Sequence, residues 1–271
     1  METLILRNKF KIIRVLFSLY IKKSVKSIGF YLTIFLILTP LFFTWQVIIG
    51  VLDSPDILTQ RTFETNIFWN GYLYQFYFMW PLVPIILACS IISHDFSKKV
   101  APIIYTLVSR KMYLVSNIIF LILHIFLLEV FSFLIFSTIA LLTLGDFMIS
   151  FPVLFFGFFY GFMLLLFYLS FTFTFSSLTR STVLSLLIPI LYIYLDPFFA
   201  TFDMKLLSFS NFIQKLNYLF EVFIYNQNFN FLSYGTNFND LILSLSVVIA
   251  IPIAFFIISV YGFKTIEIRV D

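Results

Sequence analysis

Apolar residues in this chain run in long blocks, and the polar residues fall in the gaps between them. A helix needs about 20 apolar residues to cross a ~30 Å hydrocarbon core, so each block predicts a spanning helix. Six blocks meet that length, at about 28–50, 72–92, 113–144, 150–176, 181–199 and 239–263. Pro40, Pro81, Pro84, Pro189 and Pro252 fall inside them. Membrane helices tolerate such prolines, because neighbouring helices satisfy the freed carbonyls. Pro152 instead suits the first turn of the fourth span. The predicted fold is an all-α polytopic membrane protein: an N-terminal amphipathic helix over 1–27, a six-span domain over 28–263 and a tail over 264–271.

Three of the gaps have patterns of their own. Arg7, Lys11, Arg14, Ser18, Lys22 and Lys26 recur every three or four residues and share one face of a helix. Leu6, Ile13, Phe17 and Ile21 line up on another face, so 1–27 is expected to lie in the membrane interface against anionic headgroups. Between the second and third blocks stands SHDFSKKVAPIIYTLVSRK, residues 93–111. Val100, Ile103, Ile104 and Leu107 form a single helical stripe there, with Asp95 before it and Arg110 and Lys111 at its close. Those signs complement a helix dipole. Residues 200–238 are too polar to span and too apolar for a free loop; Ser208 or Ser210 is placed to cap a short interfacial helix.

Composition removes the soluble alternatives. Only 11% of residues are charged, against about 25% in an ordinary soluble domain, and 61% are hydrophobic. Such a chain cannot cover itself with a water-compatible surface. The charge that exists is asymmetric. Placing the N-terminus inside puts seven Lys and Arg in 1–27, four in 93–112, and Arg180, Lys264 and Arg269 on the cytoplasmic side. Only Arg61, Lys205 and Lys215 stay outside, so both ends are expected to be cytoplasmic. The expected location is a plasma or cytoplasmic membrane. The basic face beside a membrane has lipid as its simplest partner, and nucleic acid is set aside.

Catalytic chemistry is sparse. The two histidines, His94 and His124, make no metal-ligand cluster, and Cys89 has no second thiol. No Gly-Lys dipeptide occurs, which excludes a phosphate-cradling loop with its lysine. The chain is therefore expected to be no enzyme and to hold neither metal nor cofactor. His124 and Glu129 are the ionisable groups inside the third span, and intramembrane ionisable groups are functional candidates. Five residues apart, they stand about 140° apart around a helix and do not share a face. Glu129 either lines a substrate path or hydrogen-bonds a neighbouring helix. Gln46 and Gln75 are weaker path candidates.

Together the layout and the 93–111 segment resemble the membrane subunit of a type-2 ATP-binding cassette exporter. That family carries an acidic residue, a short helix and a Ser-Arg pair in its first cytoplasmic loop. Here they are matched by Asp95, the segment around 98–108, and Ser109-Arg110 in VSRKMYL, with Tyr113 following. The family often has Gly-Thr where Lys99-Val100 stand, a Pro near Leu107-Val108, and a Lys where Asn117 stands. The resemblance implies a coupling helix at 93–111 that docks on an ATPase through His94, Asp95, Lys98, Lys99, Ile103, Leu107, Ser109 and Arg110. It implies a smaller second contact at Arg180, within SSLTRST, and a half-embedded outer segment at 200–238. The implied partners are two ATPase subunits, which hold the ATP and magnesium, and a second six-span chain, identical or homologous. Other classes compatible with the residues are a non-transporting membrane scaffold, an ion-coupled secondary transporter and a lipid-modifying membrane enzyme. The cargo has no signature in the chain.

Overall fold

A computed structural model describes residues 2–27, 29–39, 42, 79–93, 95, 104, 108–144, 151–179, 181–202, 204–213, 215–216 and 238–265. Among them all regular structure is helical, with no strand. The helices are α1 (Glu2–Val25), α2 (Gly29–Thr39), α3 (Leu82–Ala88), α4 (Arg110–Leu144), α5 (Phe151–Thr179), α6 (Thr182–Thr201), the short α7 (209–213) and α8 (Phe238–Thr265). A π-turn, Cys89–Ser93, continues α3, and a 3₁₀ turn, Lys205–Leu207, precedes α7.

Four of these helices are long and apolar enough to cross a membrane: the stretches Arg110–Ile139, Phe155–Thr179, Thr182–Phe199 and Ile242–Phe263. They match the third to sixth expected spans within a few residues. The first and second expected spans are described only in part, at 29–39 and 42 and at 79–92; the rest of 28–50 and 72–92 lies outside the described residues. Long rows of large apolar side chains face outward, including Leu123, Leu127 and Leu134 on α4, Leu187 and Leu191 on α6, and Ile253 and Ile257 on α8. Water does not tolerate such contiguous surfaces, whereas lipid matches them. The chain is a helical membrane protein.

α5 is the axis of the bundle. More than half of its span, 56%, is buried inside the protein, against 28% for α4 and 22% for α6 and for α8. It packs against α3, α4, α6 and α8. α5 and α8 run in the same direction, with Thr174 beside Phe255 and Ser259, and Leu178 beside Gly262. Contact is close at the second point because Gly262 has no side chain: a Cβ there would come within 2.8 Å of the Leu178 Cδ2. Thr174 Oγ1 lies 2.9 Å from the Phe255 carbonyl and 2.8 Å from Ser259 Oγ, a polar clasp between two apolar helices. Most other interior hydroxyls turn back on their own helix. Ser170 donates to the Phe167 carbonyl and Ser244 to that of Asp240, whereas Ser116 and Thr172 meet no partner among the described residues.

Serine hydroxyls begin four helices. Ser27 accepts from the Phe30 amide, Ser109 from Met112, Ser181 from Leu184 and Ser208 from Asn211. Each satisfies an amide that the first helical turn leaves open. Of the two hydroxyls expected as a cap in the outer segment, Ser208 takes the role. α6 continues through Pro197 to Thr201, and the Asp196 carboxylate, only 3% exposed, accepts the Ser210 amide at 3.1 Å. It ties the start of α7 to α6. Phe209 completes the joint by stacking on Phe167 of α5, with ring centroids 3.8 Å apart.

Candidate functional site

We define the base of the bundle as the end where α4 and α6 begin and α5 and α8 finish. The residues singled out in 93–111 that the structure describes lie there. Asp95 follows the π-turn by two residues and is 2% exposed. The Tyr113 hydroxyl donates to its Oδ2 at 2.8 Å, and Tyr113 is itself fully buried in the first turn of α4. This bond joins the two ends of the segment, 18 positions apart in the chain. The Ser109 cap sits one residue before α4, and the Val108 amide donates to the Ile104 carbonyl in a helical turn. Ile104 and Val108 are half-buried and pack against the core. Arg110 is exposed at the start of α4. His94, Lys98, Lys99, Ile103, Leu107 and Arg180 lie outside the described residues.

α1 leans on the same place. Its Tyr20 ring meets Tyr113 edge-on at 6.5 Å and Phe120 at 5.5 Å, and Phe17 meets Phe120 at 5.5 Å. The buried residues of α1 are Leu16 and Tyr20, with Ile13 and Phe17 half-buried beside them. Ile21, expected on the apolar stripe, is 52% exposed and sits at its edge. Arg14, Lys22 and Lys26 are exposed on the far side. Arg7 and Lys11 belong to the same helix, although their side chains lie outside the described residues. Asn117, one turn above Tyr113, donates to the Tyr113 carbonyl at 3.1 Å. The base thus carries a connected chain of contacts: α1 to Tyr20, to Tyr113, to Asp95 and the segment.

The two ionisable groups inside α4 face different surroundings, as their spacing predicts. His124 stands between Phe30 of α2, at 6.1 Å, and Phe120, at 5.6 Å. Its Nε2 is sealed from solvent with no hydrogen-bond partner among the described residues. Glu129 is fully buried on the face of α4 that also carries Ile125, Ser132 and Phe136. Neither of its oxygens meets a donor among the described residues, so no hydrogen bond to a Ser or Thr of a neighbouring helix is formed there. The structure does not bring His124 and Glu129 together. Gln46 and Gln75 lie outside the described residues. No group of three or more metal-binding side chains occurs among the described residues.

Two features of the base escaped sequence reasoning. The π-turn Cys89–Ser93 has no compositional signal, although such turns recur at functional sites. The Asp95–Tyr113 bond joins residues whose separation matches no local pattern; only the sealed aromatic cluster around Tyr20 explains it. These observations define the class, a helical membrane protein whose polar base is anchored on the start of one spanning helix. No protein-family model matches the chain, and no curated protein matches it.

Proposed function

We propose that this chain is the membrane subunit of an ATP-driven exporter, with six spans, both termini cytoplasmic, and ATP hydrolysis on a separate partner subunit. The observation that carries the proposal is the Asp95–Tyr113 bond. A segment that receives force from a partner must pass it to a spanning helix, and a loop free at one end would dissipate it. Here both ends of 93–111 are held at the first turn of α4, one by Tyr113 and one by the helix connection with its Ser109 cap. Displacement of the segment therefore becomes displacement of α4. In this mechanism Asp95 is a positioning residue, since its carboxylate points into the protein. In the same reading Arg110, exposed at that end, meets the ATPase. Two ATPase subunits closing on ATP push on these segments in two membrane chains, and the differential affinity of ATP for the closed state drives the change.

Purification of the full chain from its native membranes in mild detergent tests this directly. An ATPase with a phosphate-binding loop should accompany it, and Arg110→Glu should separate ATP hydrolysis from transport while the chain still inserts. Repeated isolation without any nucleotide-binding partner overturns the proposal.

A further inference from the structure

We infer that the cleft between the start of α4 and the end of α8 binds the headgroup of an anionic phospholipid. A cavity of about 300 Å³ opens there, lined by Arg110, Lys111, Leu114, Val260, Tyr261 and Phe263. Its chemistry is divided. Arg110 and Lys111 bring two adjacent cations, whereas half-buried Val260 presents the apolar floor, with Leu114 and Phe263 sealed behind it. Among the described residues no acidic side chain lines it. Tyr261 is 68% exposed at the rim, where an aromatic ring with a polar tip suits the boundary between headgroups and chains.

Depth selects the ligand. The apolar stretch of α4 begins at Arg110 and that of α8 ends at Phe263, so the cavity straddles the level at which hydrocarbon gives way to headgroups. A soluble anion would gain the cations and waste the apolar floor. A phospholipid uses both, placing its phosphate at Arg110 and Lys111 and its glycerol carbons against Val260 and the Tyr261 ring. Size agrees: the volume lies at the lower end of the range of about 300–1,000 Å³ for small-molecule sites, enough for a headgroup with the acyl chains left in the bilayer. The inference needs only the membrane placement of α4 and α8; it shares Arg110 with the exporter proposal, and Val260→Trp, which leaves both cations in place, tells the two apart.

The test uses the full chain, reconstituted in vesicles of equal phosphatidylcholine and phosphatidylglycerol, extracted in mild detergent, and read by native mass spectrometry for retained lipid. Phosphatidylglycerol should be enriched. A basic residue near the membrane surface is worth about fivefold in binding, so Arg110→Ala with Lys111→Ala should reduce the enrichment roughly 25-fold. Val260→Trp fills the cleft and leaves both charges, and should remove the enrichment as well. Arg110→Lys with Lys111→Arg should retain it. Unchanged enrichment in the double alanine variant, or in a monodisperse Val260→Trp protein, overturns the site. So does an equal loss on Arg14→Ala with Lys22→Ala, which would locate the attraction on the whole basic surface. Should one variant fail to fold, the other still decides.

Discussion

Tyr113→Phe removes one oxygen atom and isolates what the bond at the base is worth. The phenylalanine ring keeps its packing beside Tyr20, at 6.5 Å, and Phe120 remains on the other side of Tyr20. What disappears is a 2.8 Å hydrogen bond to a carboxylate that is 2% exposed. Water cannot readily replace the lost donor there. A hydrogen bond to a charged group contributes about 1.5–3 kcal/mol, so opening of the junction should become about tenfold to 150-fold more favourable. The protein supplies its own probe. Cys89, its single cysteine, is buried at the start of the π-turn and 3.8 Å from Ser176 Oγ. Maleimide labelling of the folded protein in mild detergent should accelerate by that factor in Tyr113→Phe. Asp95→Asn keeps an acceptor for the phenol but removes the charge, so it should accelerate labelling less, by about two- to tenfold for a neutral bond. Equal labelling rates in the wild type and Tyr113→Phe would refute the idea that this bond closes the segment onto α4.

Three further outcomes follow from the packing. Thr174→Val should lower stability against a denaturing detergent by about 0.6–1.7 kcal/mol, because it dissolves the clasp with α8, and the loss should be non-additive with Ser259→Ala. Gly262→Ala should be tolerated, since the Leu178 side-chain end can turn aside, whereas Gly262→Val should cost about 1–3 kcal/mol by the same measurement. Glu129→Leu should raise the unfolding midpoint, because a sealed carboxyl without donors gives way to an apolar side chain; reconstituted transport should fall in Glu129→Gln, and unchanged kinetics would leave Glu129 a packing residue.

Much of the helical layout was legible because lipid imposes a simple rule: backbone polar groups must be satisfied within the segment. Long apolar blocks therefore announced α4, α5, α6 and α8, and Pro189 and Pro252 did not break them. Periodicity also separated His124 from Glu129 before any coordinates, since angle around a helix follows from spacing alone. Legibility failed where residues distant in sequence meet. Asp196 lies near the end of α6, and no local pattern signals that its carboxylate accepts the Ser210 amide of α7. Ile21 fits the apolar stripe of α1 by spacing, yet Leu16 and Tyr20 take the buried positions and Ile21 is left 52% exposed. The bond from Asp95 to Tyr113 belongs to the same category: both residues stand out in the sequence, but only a tertiary approach shows that they meet.

The π-turn at Cys89–Ser93 has a rotational consequence for the base. A π-turn accommodates one residue more than the α-helix it interrupts. Each residue of an α-helix advances about 100° and 1.5 Å, so the extra one sets the phase at which the chain leaves α3. Winding CSIIS as regular α-helix with all its residues would swing Asp95 roughly a quarter of a turn away from Tyr113, whereas deleting one residue would restore an uninterrupted helix with Asp95 still in phase. The alignment between α3 and Asp95 is therefore a matter of counting, set by one residue and independent of which side chains fill the turn.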